Sequence, residues 1–124
     1  MSNSTNLDKL RPIDFCDVLD RIGGDTSFLK ELLIIYFQEY AEKKRLLQEA
    51  IAREDFTQVC ELGHSLKGAS ANLSLSRLQR IALCLETAGR ERQIQLAQEA
   101  ARTLETEIQT LKAFLEGNPP GKFV

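Results

Sequence analysis

His64 is the only histidine in the 124-residue chain. It opens the stretch H-S-L-K-G-A-S, in which Lys67 follows three positions later and Gly68 four. Three and four positions make one helical turn, so on a helix these residues are neighbours. A neutral imidazole is a good nucleophile near neutral pH, its unperturbed pKa being about 6.5. One ring nitrogen can attack phosphorus while the other is held by a neighbour or by water. A lysine one turn away can offer positive charge to phosphoryl oxygens. Side chains on a helix lean toward its N-terminus, so a large residue at position 68 leans over the imidazole, and glycine leaves that space open. These are the ingredients of phosphoryl transfer. The sequence has neither a GxxxxGK[ST] loop nor a kinase glycine loop, so the phosphoryl group must arrive on another protein.

Each residue also has a plainer explanation. A single surface histidine usually does nothing, a lysine is usually a solvated side chain, and a glycine can mark tight helix packing. Orientation separates these readings. At about 100° per residue, with Val59 at zero, Leu62, Leu66, Ala69, Ser70 and Leu73 fall within about 80° on either side. His64 lands near ~140°, Gly68 near ~180° and Ala71 near ~120°, outside that arc, with Lys67 on its flank near ~80°. The histidine therefore faces solvent or a partner. Glycine inside a helix costs on the order of 1 kcal/mol relative to alanine. Gly63 and Gly68 are both read as flanking the ring, and close approach of another molecule to His64 is the simplest offset.

The elements that must hold this stretch are all helical. No run of alternating apolar and polar residues marks a strand. A short helix is expected from Pro12 to about Ile22, stopped by Gly23-Gly24. A long helix follows, capped by Asp25 or Thr26 and running to about Ala52, with Leu29, Leu33, Tyr36, Tyr40, Leu47 and Ile51 on one stripe. Its first half, FLKELLIIYF, is apolar on almost every side, and the short N-terminal helix is expected to cover the extra face. Asp55 caps the histidine helix, which runs to about Asn72. Ser74 or Ser76 caps the next, with Leu78, Ile81, Ala82 and Leu85 inward and Gly89 closing it. The last helix runs from about Glu91 to Glu116 on a near-heptad seam from Ile94 to Leu115. The expected fold is all-α, an antiparallel up-down four-helix bundle with an additional short N-terminal helix. Residues 1–10 are expected to be a flexible N-terminus, 11–116 the domain, and 117–124 a tail or linker.

Composition excludes several classes of function. The chain is 43% hydrophobic and 27% charged, an ordinary profile for one soluble domain. A net charge of -2 gives no broad basic field for nucleic acid. No apolar run approaches the roughly 20 residues that span a bilayer. The start, MSNSTNLDKL, lacks the features of a signal peptide. Cys16, Cys60 and Cys84 are widely spaced, and one histidine cannot complete a usual zinc set, so no metal site is expected. The cysteines read as reduced, buried thiols, and together these features point to the cytoplasm; a monomer is expected because each helix can spend its single stripe on one bundle core.

His64 to Ser70 resembles the H-x-L-K-G-x-[SA] signature of histidine-containing phosphotransfer domains. Gly23 to Leu33, Ala52 to Phe56, Asn72-Leu73 and the run L-x-x-I-A-x-x-L-E from Leu78 to Glu86 also resemble that family, over roughly Pro12 to Leu115. The resemblance implies a bundle that carries a phosphoryl group on His64, at the ring nitrogen farther from the backbone. It implies Lys67 beside the phosphoryl group and Gly68 as steric clearance. The strip around His64, with Gly63, Ser65 and Ala71, is the expected receiver-docking face. It implies exchange with aspartates on receiver domains in a multistep phosphorelay fed by a hybrid sensor histidine kinase. The domain would need no cofactor of its own, Mg²⁺ belonging to the receiver, and would be a carrier rather than an enzyme. Two positions depart from the family pattern: Ser74 stands where glycine is common, and is expected to cap instead, and Gly63 stands where alanine is frequent. Two rivals, the phosphoacceptor domain of a chemotaxis-type kinase and an inert helical adaptor, share this outline. A sensor-kinase dimerisation pair fits less well, because Ser65 follows the histidine and no proline comes after it before Pro119.

Overall fold

The computed structural model describes residues 11–119, and among them are five helices and no strand. The expected flexible segment 1–10 and the end of the expected tail, 120–124, lie outside the described residues. The helices are α1 (Phe15–Arg21), α2 (Thr26–Ala52), α3 (Phe56–Asn72), α4 (Ser76–Arg90) and α5 (Ile94–Gly117).

Aspartates start the first three helices. Asp14, Asp25 and Asp55 each accept a hydrogen bond from the backbone N–H three residues on, satisfying a donor the helix leaves free. The first helix thus begins at Phe15 rather than Pro12, because Asp14 takes the capping position. Gly23 and Gly24 end it in the left-handed region, at φ 84° and 82°. Neither Ser74 nor Ser76 caps α4. Leu75 takes that position with no side-chain cap, and α5 begins at Ile94, after Gln93, rather than at Glu91. At the other end α5 includes Gly117, one residue beyond the expected stop.

The α2–α3, α3–α4 and α4–α5 corners share one geometry. In each a single non-glycine residue sits in the left-handed region: Glu54 (φ 53°), Ser74 (φ 57°) and Arg92 (φ 56°). The following N–H reaches back to the last turn of the helix just ended, as Asp55 to Ala50, Leu75 to Ser70 and Gln93 to Ala88. A left-handed φ explains why glycine suits position 74. Serine keeps the conformation, and its Oγ donates to Asp17 Oδ2 at 2.6 Å, tying the corner to α1. The same region is joined by Asp14 N–H to the Ser74 carbonyl and by Arg21 Nη1 to the Ala71 carbonyl.

The core takes one stripe from each long helix: Leu29, Leu33 and Leu47 of α2, Val59 and Leu66 of α3, Leu78 and Leu85 of α4, Leu104, Ile108 and Leu111 of α5. Ile13, Phe15 and Val18 close one end, where Phe15 stacks on Phe114 at 6.1 Å. Tyr36 places its hydroxyl 2.8 Å from the buried Ser70 Oγ, a cross-link from α2 to α3. The extra apolar face of α2 is covered only in part: Leu32 and Phe37 are half-buried, while Phe28, Ile34 and Ile35 stay exposed. The cysteines are free but not buried, Cys16 and Cys84 being exposed and Cys60 half-buried. No helix among the described residues is long and apolar enough to cross a membrane.

Candidate functional site

The α3 and α4 backbones are brought together by two glycines, one from each helix. A Cβ on Gly63 would lie 2.5 Å from the Glu86 backbone N and 2.7 Å from its Cα. A Cβ on Gly89 would collide in the same way with the backbone at Cys60. Both residues are buried, so neither has the role expected of it. Gly89 does not close α4, which runs one residue further, to Arg90. Gly63 does not border the histidine from outside and offers no surface for docking. On the wheel that sets Val59 at zero, Gly63 falls near ~40°, inside the buried arc.

Close approach at Gly63 delivers Glu86 to the histidine. His64 Nδ1 lies 3.1 Å from Glu86 Oε2, and Lys67 Nζ lies 2.8 Å from Glu86 Oε1. Arg90, one turn along α4, stands 3.7 Å from the same Oε2. The His64 side chain is 71% exposed, whereas that of Glu86 is 11% exposed. The hydrogen bond from Lys67 is the main cause that holds the Glu86 carboxyl below its usual range; burial works against this, and the His64 bond adds to it. A depressed value means that the ionised state is complete above the ordinary carboxylate range and is lost only as pH falls through the lowered value.

An ionised carboxylate only accepts hydrogen bonds. His64 Nδ1 must therefore carry the hydrogen when it bonds Glu86, and in the neutral ring this leaves Nε2 with its lone pair on the far side. Gly68 is exposed, and a Cβ there would meet no atom within 4 Å. The space beside the ring is open. Ser65 is exposed on the other side of the same outer face, and Ala71 is half-buried one turn beyond Lys67. Among the described residues no group of histidine, cysteine and acidic side chains could hold a metal ion.

His64, Lys67 and Gly68 thus lie together as their spacing requires. Glu86 joins this group in the structure, although sequence reading passes over it as the end of a helical run. It is 22 positions from His64, and its signal is indirect: a carboxylate bordering the apolar stripe of α4, beside the small residues Ala82 and Gly89.

The Hpt domain family model matches residues 31–114, most of the chain, and the protein belongs to that family. No curated protein and no solved structure matches it. Hpt domains are phosphocarrier modules of two-component signalling rather than catalysts.

Proposed function

We propose that this chain relays a phosphoryl group between receiver-domain aspartates through His64 in a multistep phosphorelay. The observation that carries this reading is the His64 ring, open to solvent and tethered at Nδ1 to a buried carboxylate, so that Nε2 is the available nucleophile. In the forward step Nε2 attacks the phosphorus of a receiver aspartyl phosphate. The N–P bond forms as the P–O bond breaks, and the aspartate leaves as a carboxylate. The reverse step passes the group to the next receiver. Nδ1 keeps its proton throughout, so the ring becomes cationic as the N–P bond forms and Glu86 faces that charge. The receiver brings Mg²⁺ and most of the catalytic groups, and the transfer depends on positioning and charge. Lys67 must turn part of its charge from Glu86 toward the phosphoryl oxygens.

The four long helices form an antiparallel up-down bundle in this reading, with α1 across one end. The docking face centres on His64, Ser65 and Ala71 of α3, flanked by the exposed Ile35 of α2 and Leu83 of α4. The partners are receiver domains and a hybrid sensor kinase, and the chain works as a cytoplasmic monomer.

The test is phosphotransfer from a panel of phosphorylated receiver domains to the protein, with His64→Gln alongside. The expected label is acid-labile, base-stable and absent from the variant. Label that persists in His64→Gln moves the site elsewhere and overturns the mechanism. Labelling only by ATP and a chemotaxis-type kinase domain, and by no receiver, replaces the relay with the kinase-phosphoacceptor role.

A further inference from the structure

One turn from His64 toward the start of α3, a notch of about 370 Å³ opens between α3 and α4. Its walls include Phe56, Cys60 and Glu61 from α3, Gly89 and Arg90 from α4, and Arg92 from the α4–α5 corner. Cys60 and Glu61 precede His64 by four and three positions, so the notch lies about 6 Å along the helix from the histidine. At its wall Gly89 packs directly on the Cys60 backbone, where there is no room for a Cβ. Two guanidinium groups and the Glu61 carboxylate line it, and with Arg90 turned toward Glu86 it is Arg92 that supplies its positive charge.

The two arginines are held differently. Arg90 leans toward Glu86 Oε2 at 3.7 Å. Arg92 lies with its guanidinium carbon 5.0 Å from the centre of the Phe56 ring. Stacking on an aromatic face leaves the edge donors of a guanidinium free for a carboxylate and restricts its rotamers before any partner arrives. Little ordering is then left to be done on binding.

We infer that this notch is a docking socket for an acidic side chain of the receiver, placed beside the partner's phosphorylated aspartate. The inference rests on the relay reading above. A partner that presents an aspartyl phosphate with Mg²⁺ carries carboxylates around that site. A partner surface centred on His64 extends well beyond one helical turn, since specific interfaces bury about 800 Å² per side. A receiver seated over the histidine toward α4 covers the notch, and an aspartate or glutamate on its rim meets Arg92 and Arg90. Contacts of this kind at an interface edge act mainly on association rate and its salt dependence.

Arg92→Gly is the informative variant. Glycine takes the left-handed φ of 56° without strain, so the corner keeps its backbone conformation while the guanidinium over Phe56 is removed. With the receiver that labels His64, transfer rates are measured against receiver concentration. Arg92→Gly is expected to raise the half-saturating concentration about three- to tenfold at low salt, with the maximal rate unchanged, and the difference is expected to fade near ~0.5 M salt. Arg92→Glu is expected to raise it further, and a lysine in place of the matching receiver acid to restore it. Unchanged half-saturation in both variants, with the parent active, overturns the socket and leaves the carrier role intact. So does a fall in maximal rate at unchanged half-saturation, which places Arg92 in the chemistry rather than in docking. Failure of the parent chain to accept label from any receiver is the separate failure of the relay reading, and the socket falls with it.

Discussion

Replacing Glu86 separates the two things its carboxylate does. It accepts the Nδ1 hydrogen of His64 at 3.1 Å, and it occupies Lys67 at 2.8 Å. Both Glu86→Gln and Glu86→Ala remove the charge that pairs with Lys67, but only glutamine keeps an oxygen that can accept from Nδ1. Comparing the two variants with each other therefore isolates the hydrogen bond. A hydrogen bond to a charged group contributes about 1.5–3 kcal/mol, and an ordinary neutral one about 1 kcal/mol. The imidazole is 71% exposed, so water competes for Nδ1 and the lower end applies. Losing about 1 kcal/mol of preference for the Nδ1–H form reduces the population with a free Nε2 lone pair by up to about fivefold. Glu86→Ala is accordingly expected to accept phosphoryl groups about fivefold more slowly than Glu86→Gln at saturating donor. The ring-nitrogen ¹⁵N shifts at a pH where His64 is neutral are expected to show the Nδ1–H tautomer dominant in the parent, retained in the glutamine variant and diminished in the alanine variant. A change in packing alone does not move this tautomer signature. Equal rates and identical ring shifts in the two variants refute the positioning role.

The two glycines of α3 are expected to respond oppositely to alanine. Gly63→Ala puts a Cβ 2.5 Å from a backbone nitrogen that cannot yield, so α3 and α4 must separate, at about 1–3 kcal/mol in urea unfolding, and transfer must slow as Glu86 recedes. Gly68→Ala meets nothing within 4 Å and is expected to add about 0.5–1 kcal/mol of stability; destabilisation there removes the claim of open space beside His64. Both tyrosines resist ionisation. Burial pushes Tyr36 up to about 12, and burial together with Glu105 raises Tyr40. The stability they confer as neutral groups is complete below their ordinary value near ~10 and is lost as pH rises through that region toward about 12 for Tyr36. Phenolate absorbance is expected to rise together with loss of the helical circular dichroism signal, and phenolate appearing near pH ~10 with helicity intact contradicts the buried placement.

Apolar periodicity made the helices legible, because a stripe at spacings of three and four is written in adjacent residues. The aspartate caps at Asp25 and Asp55 were legible for the same reason, each acting on an N–H three positions away. The corners were less so. A serine or arginine in the left-handed region carries no signature of its own, and Ser74 was read as a cap although it serves as the turn. The extra apolar face of α2 was visible, but its remaining exposure at Phe28, Ile34 and Ile35 depends on where α1 lies.

The sequence alone determined which face of α3 is buried, and hence that His64 and Gly68 point outward with Lys67 alongside, because helical phase is a local property. It could not determine what stands behind the histidine. Two close contacts between backbones decided that, one at Gly63 and one at Gly89, setting the distance and register of α3 against α4. A glycine inside a helix looks the same in sequence whether the space beside it is empty, as at Gly68, or filled by another backbone, as at Gly63. Only the packing of the second helix distinguishes the two, and that packing carries the Glu86 carboxylate to Nδ1.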